Sequence, residues 1–223
     1  MRAVFVALGV AALATAPLRG QTLSAFARQK AETLLATRLP CLGCHRLAGR
    51  GGAIGPDLSE VGARLQRDAI EAMITNPQAA RPGSLMPRVL MPESTRRLLV
   101  AYLAGRVESD RSVTPGRRPG VSPPATRVEP YARHCAACHG DRGGGDGWNA
   151  AALPVRPAPL ADAARMSALS DDRLFDTIFS GGYVMNRSHL MPPFGASLSR
   201  EEIRALVRHI RTLCRCQGPA WSR

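Results

Sequence analysis

Cys135-Ala136-Ala137-Cys138-His139 is the stretch on which the reading of this chain turns, and its pattern recurs as Cys41-Leu42-Gly43-Cys44-His45. Each copy sets two thiols one helical turn apart, with an imidazole directly after the second. That spacing is the attachment signature of a c-type haem. Each thiol adds across one vinyl group of the porphyrin, so both must reach one ring edge, and the histidine then falls beneath the iron as an axial ligand. The thiols without the histidine would equally suit zinc or a redox dithiol. Zinc would want histidines a few residues downstream, or all four cysteines at ribbon spacing, and neither is present. The pattern therefore predicts two covalently attached haem c groups. Cys41, Cys44, Cys135 and Cys138 hold them, and His45 and His139 ligate the irons.

A chain of 223 residues accommodates one large domain or two small ones, and the duplicated motif favours two. Aromatic residues make up only 4 % of it, thin for two ordinary cores. A porphyrin plate in each would supply much of the missing apolar surface. Met1-Arg2 and the apolar run Ala3 to Pro17 predict a secretory signal over residues 1–20, cut near Gly20, with an uncleaved anchor as the alternative. The run is short for a membrane span. Both readings place the folded part outside the cytoplasmic membrane, in the periplasm or anchored to the membrane's outer face. The formal net charge is +13, and Lys30 is the single lysine among 30 basic residues. Losing residues 1–20 removes only Arg2 and Arg19 of these. No compact basic helix or aromatic-interleaved basic strand is present, which argues against nucleic acid. An acidic face on a partner protein, or anionic lipid, suits the charge better.

Outward from the first motif, Leu23, Phe26, Ala27, Ala31, Leu34 and Leu35 recur at helical spacing until Pro40. After His45 comes the turn-rich stretch Arg50 to Leu58, which includes Gly55-Pro56-Asp57. Val61 to Ile74 reads as one helix closed by Asn76-Pro77. Arg81 to Pro87 is a loop, and Glu93 to Ala104 is a helix stopped by Gly105. This order of helix, CxxCH, Gly-Pro-x-Leu, helix, Asn-Pro, Pro-Gly-x-x-Met and final helix resembles class I cytochrome c across residues 21–106. The resemblance implies that Pro56 offers its carbonyl to the second ring nitrogen of His45, and that Met86 is the distal iron ligand. Met91, just before the last helix, and Met73, at an apolar helical position, are the other methionines, and Met86 is favoured.

Residues 107–126 are rich in proline, glycine and arginine and read as a linker. The second half, 127–223, repeats the plan and ends in a short tail. Val128 to Cys135 is a short helix, and Gly140 to Trp148 is too rich in glycine for regular structure. Ser170 opens a helix that runs to Gly181-Gly182, and Ser199-Arg200-Glu201-Glu202 is a capping box for the last one. CHGxxGxGDG with a later Met-Pro-Pro-Phe-Gly is similar to cytochrome c domains of haem–copper oxidase subunits and of periplasmic dehydrogenase electron acceptors. Met191 is the favoured distal ligand. Met166, Met185 and His189 also stand in range, and Pro154, Pro157 and Pro159 compete for the support of His139. His134, His189 and His209 read as surface residues, and Cys214 and Cys216 as an inert tail, although the two could join.

These readings predict an all-α chain of two tandem cytochrome c domains, each about three helices around a covalently bound haem. The implied work is single-electron transfer between redox proteins, as a free carrier or as a subunit of a dehydrogenase or oxidase. No acid–base pair or nucleophile accompanies the haems, so no catalytic residues are assigned. The alternative is a two-haem peroxidase or thiosulfate-oxidising cytochrome, which needs one iron left open or unusually ligated.

Overall fold

Ser24 opens the first helix, α1 (Ala25–Thr37), by accepting the Ala27 amide at 3.2 Å. Ala31 and Leu35, one turn apart on its inner face, are buried. The computed structural model describes residues 23–107 and 129–222. The expected signal segment 1–20 and nearly all of the expected linker lie outside these residues.

One turn of helix, α2 (Cys41–Cys44), carries the first motif and leads into a hairpin of β1 (Arg46–Leu47) and β2 (Arg50–Gly51). Its register pairs Arg46 with Gly51 and Leu47 with Arg50. The sequence reading assigned this stretch to a loop, and two-residue strands leave no periodicity to read. The expected single helix Val61 to Ile74 is instead α3 (Val61–Arg64) and α4 (Arg67–Thr75), with Leu65 extended between them. Val61 and Ile70 are both buried in one core. At 3.6 residues per turn, a straight helix would point them to opposite sides. The break lets both face inward. Asn76 then caps α5 (Pro77–Ala80), and α6 (Glu93–Ala104) buries Leu99, Val100, Tyr102 and Leu103.

The second lobe begins with α7 (Glu129–His134), whose Tyr131 is buried, and the single turn α8 (Ala136–His139). After the glycine-rich loop, Asp162 caps α9 (Ala163–Ser167), a helix that the sequence reading did not assign. Ser170 caps α10 (Asp171–Val184), which kinks where Gly181 takes φ 79°. Ser199 and Glu202 form the expected capping box of α11 (Arg200–Cys214). The inner face of α11, Ile203, Leu206, Val207 and Ile210, packs with Tyr131, Leu174 and Phe194 into a second core. The chain is thus all-α, with the one short hairpin as strand among the described residues. No helix of the described residues is long and apolar enough to cross a membrane.

Ser199→Ala should remove the side-chain half of the capping box, the Oγ that accepts the Glu202 amide, while the residue 199 amide can still donate to Glu202, and should lower stability by about 1 kcal/mol. Urea unfolding of the variant against the parent chain checks this, and an unchanged midpoint would count against the cap.

Candidate haem sites

The second motif shows how local chain geometry sets an imidazole beside two thiols. The turn α8 closes by donation of the His139 amide to the Cys135 carbonyl at 2.8 Å, so both thiols and the imidazole leave one short helix. The ring Nδ1–H donates to the Ala158 carbonyl at 2.9 Å. This commits the tautomer and leaves the Nε2 lone pair free. Here the expectation of a proline carbonyl is corrected. The acceptor is Ala158, which stands between Pro157 and Pro159. Flanking prolines restrict the backbone on either side and donate no amide. Burial holds the pKa of His139 below the ordinary imidazole value, against the opposing pull of the Ala158 carbonyl. The ring is therefore neutral at pH 7.

Cys135, Cys138 and His139 line a cavity of about 650 Å³ whose other walls include Met191, Phe194, Leu206 and Ile210. Met166 is a wall of it too, and its burial in the core makes it packing. Met185 does not line it. His189 lines a different space, a cleft of about 750 Å³ between the lobes, which Met191 also borders. The structure thus gathers His139 and Met191 about one cavity and leaves His189 outside it. Size, apolar walls, two thiols, one free imidazole nitrogen and one thioether match the needs of a covalently bound haem.

In the first lobe the His45 amide donates to the Cys41 carbonyl at 2.8 Å. Its Nδ1–H donates to the Pro56 carbonyl at 2.7 Å. Gly55 lies flat beneath the ring, where a Cβ would come within 2.4 Å of Cε1. Burial again depresses the imidazole pKa, with the Pro56 carbonyl opposing. Met86 sits half-buried in the loop before α6. Its carbonyl accepts from Gln78 Nε2 at 2.7 Å and its amide donates to Ser84 Oγ at 3.2 Å. Met91 packs against the lobe's core, whereas Met86 is not part of that cluster. Met73 is half-buried on α4. The two thiols and the free imidazole nitrogen at this motif repeat the arrangement of the second.

All four motif cysteines are free thiols. Burial pushes Cys41 up to about 11 and Cys135 up to about 12. Cys44 is pushed up to about 12 by burial, reinforced by the neighbouring Cys138 and Cys41, and burial also raises Cys138. A redox dithiol needs a stabilised thiolate, so these neutral thiols are poorly suited to that chemistry. Among the described residues no group of three or more His, Cys, Asp or Glu side chains is arranged to hold a bare metal ion.

Three histidines read as surface residues are half-buried instead. His134 meets the Phe194 ring edge-on at 5.6 Å, His209 packs on Tyr131 at 4.6 Å, and His189 bonds the Ala36 backbone across the cleft. Each is covered by a segment distant in sequence, so spacing along its own helix or loop did not reveal it. The tail cysteines are also corrected, because Cys214 and Cys216 form a disulfide. Arg215 between them takes the left-handed conformation that ends α11, which turns the chain back and sets the two Cα atoms 5.2 Å apart.

Comparison with known proteins agrees with this geometry. Residues 29–105 match the family described as cytochrome c, and residues 123–210 match cytochrome c oxidase, cbb3-type, subunit III. A curated relative, cytochrome c oxidase subunit 2 of Alkalihalophilus pseudofirmus, is 36% identical over 72 residues, which cover 28% of this chain and 21% of that protein. The chain thus matches about a fifth of that relative's length. No solved structure matches. The chain is a c-type cytochrome. Its two helical lobes are cytochrome c domains, the second of the cbb3 subunit III type, and such domains bind haem c covalently and use it in electron transfer.

His134, His189 and His209, the histidines outside the two motifs, have pKa values depressed by burial. Below about pH 6.5 the unfolded chain takes up protons that the folded chain refuses, so stability present above that pH is lost as the pH falls through the depressed folded values. Denaturant midpoints should therefore decline from pH 7 to pH 5. A flat or rising profile would contradict the buried neutral imidazoles.

Proposed function

We propose that this chain is an exported two-haem cytochrome that passes single electrons between redox proteins. The observation that carries the reading is the paired arrangement of His45 and His139. Each ring's Nδ1–H is held by a backbone carbonyl, at 2.7 Å and 2.9 Å, which leaves Nε2 for an iron. Haem supplies one-electron chemistry at its iron when bound. The chain's residues do the rest. Cys41 with Cys44, and Cys135 with Cys138, fix each ring edge. The carbonyls of Pro56 and Ala158 orient the imidazoles and raise their basicity. Met86 and Met191 would supply soft sulfur ligands to the irons, which favours the reduced state. Met191 shares a cavity with His139, which supports it over His189.

In this reading residues 1–20 are the export signal, 21–106 and 127–223 are the two domains, and 107–126 link them. The site of action is the periplasm or the outer face of the cytoplasmic membrane. A methionine available to each iron favours electron transfer over a two-haem peroxidase or thiosulfate-oxidising enzyme. The oxidase subunit match supports a place within, or beside, an oxidase or dehydrogenase complex.

Mass spectrometry of the denatured holoprotein should show two haems. Cys41→Ala with Cys44→Ala should remove one, and Cys135→Ala with Cys138→Ala the other. Haem that extracts into acid–acetone would overturn the assignment. Met191→Ala should diminish the weak red methionine–iron band of the oxidised protein while His189→Ala leaves it intact, and the reverse pattern would exchange the ligand. Loss of Arg2 and Arg19 with the signal lowers the formal net charge from +13 to +11, still carried almost wholly by arginine, so partners should present acidic faces. Bimolecular electron-transfer rates should then fall steeply with ionic strength, and a flat dependence would rule out steering by charge.

A further inference from the structure

Asn149 is the completely buried polar side chain of the described residues, at 0% exposure. It belongs to the second lobe, where its amide donates to the Ala137 carbonyl inside the second motif at 2.9 Å. Its side chain reaches across to the first lobe. Oδ1 accepts the Ala53 amide at 2.7 Å, and Nδ2 donates to the Gly43 carbonyl at 2.9 Å. The same Nδ2 contacts Cys138 Sγ at 3.3 Å. Gly43 is the third residue of Cys41-Leu42-Gly43-Cys44, so one carboxamide touches both attachment turns. Converting the thiol to a thioether leaves its sulfur a weak acceptor for the same Nδ2 donor.

The backbones meet here so closely that side chains are excluded. A Cβ at Gly43 would lie 2.1 Å from the Leu190 carbonyl oxygen, next to Met191. A Cβ at Gly52 would lie 2.4 Å from the Gly43 oxygen and 2.9 Å from both Asn149 side-chain heteroatoms. Leu190 itself is buried in the first lobe's core. Surface residues add to the contact. The Arg88 amide donates to Ser197 Oγ at 3.0 Å, and the Arg38 guanidinium meets the Tyr183 hydroxyl.

We infer that Asn149 is the positioning residue that joins the two haem-attachment turns into one unit and bridges them for electron exchange within the chain. The inference rests on the two-haem reading above. The route runs from Cys138 Sγ through the Asn149 carboxamide to the Gly43 carbonyl and on to Cys44. With haem held at both turns, one electron would cross it, the iron at one turn passing from ferrous to ferric as the other passes from ferric to ferrous. No bond forms and no proton moves. An alternative in which each lobe trades electrons separately with partners would need no such contact.

The test uses the full-length holoprotein with Asn149→Leu, which keeps the size but cannot hydrogen-bond, and Gly43→Ala, which wedges the lobes from the other side. Haem content is read by mass, and intramolecular electron exchange in half-reduced protein from exchange of the haem methyl resonances. Orphaning the Gly43 carbonyl and Ala53 amide should raise the population of separated lobes roughly five- to hundredfold. Exchange between the irons should slow correspondingly in both variants, and the gap between their two potentials should shift as each iron ceases to sense the other's charge. Native-state hydrogen exchange on the unaltered protein gives a reading that needs no variant to fold, since the Ala53 amide should be protected like core amides. Two haems with unchanged exchange and potentials in both variants, or an unprotected Ala53 amide, would overturn the junction alone. Fewer than two haems in the parent protein would overturn the two-haem reading and the bridge together.

Discussion

A histidine ligand is useful only if its ring is held, and the structure depends on how the two rings are held. In each lobe a backbone carbonyl takes the Nδ1–H, and the turn carrying the thiols supplies the opposite anchor. Neither hydrogen bond is local. The carbonyl comes from a loop that must travel out and return, through Gly55-Pro56 in one lobe and Pro157-Ala158-Pro159 in the other. The two loops share no length, yet both place a restricted backbone beside the ring. Proline recurs because the acceptor segment must be stiff and needs no donor of its own.

Much of the surrounding polarity is organised by the same requirement that buried groups be paired. Tyr131 donates its hydroxyl to the Gly140 carbonyl at 2.7 Å, which pins the start of the glycine-rich loop just after His139. Arg211 shows that not every arginine of this basic chain serves the surface. Its guanidinium reaches Asp171 at 2.8 Å and the Met166 carbonyl at 2.7 Å, tying α11 to the segments that wall the second cavity. Exposed pairs such as Arg133 with Glu129 contribute far less, because solvent screens them.

The lobes meet at the turns that carry the motif thiols, and the chemistry there is economical in atoms. Glycine at positions 43 and 52 removes side chains so that one carboxamide can bond both sides. A polar group enclosed in this way is costly unless fully satisfied, and the same enclosure makes a satisfied one specific in its geometry. Met191 borders both the second cavity and the cleft between lobes, so that wall of the cavity lies near the contact as well.

Those features that are written in adjacent residues were legible in the chain. The two CxxCH turns, the cap at Ser170 and the capping box at Ser199 and Glu202 each depend on residues within one or two helical turns, and local chemistry determines them. Pro56 and Met86 were named through resemblance, since their distance from His45 carries no signal of its own. Other features waited for the folded chain. The break between α3 and α4 follows from a shared core that Val61 and Ile70 must both reach. Ala158 displaced the three candidate prolines because a carbonyl's direction depends on the path of the whole loop. His134, His189 and His209 went inside because other segments cover them, and Arg215 brought Cys214 and Cys216 together by reversing the chain. Asn149 gave no hint at all, as its Gly43 partner lies 106 positions away. Sequence determines contacts between near neighbours through covalent geometry, and only the packed chain decides which distant polar atoms come within bonding distance.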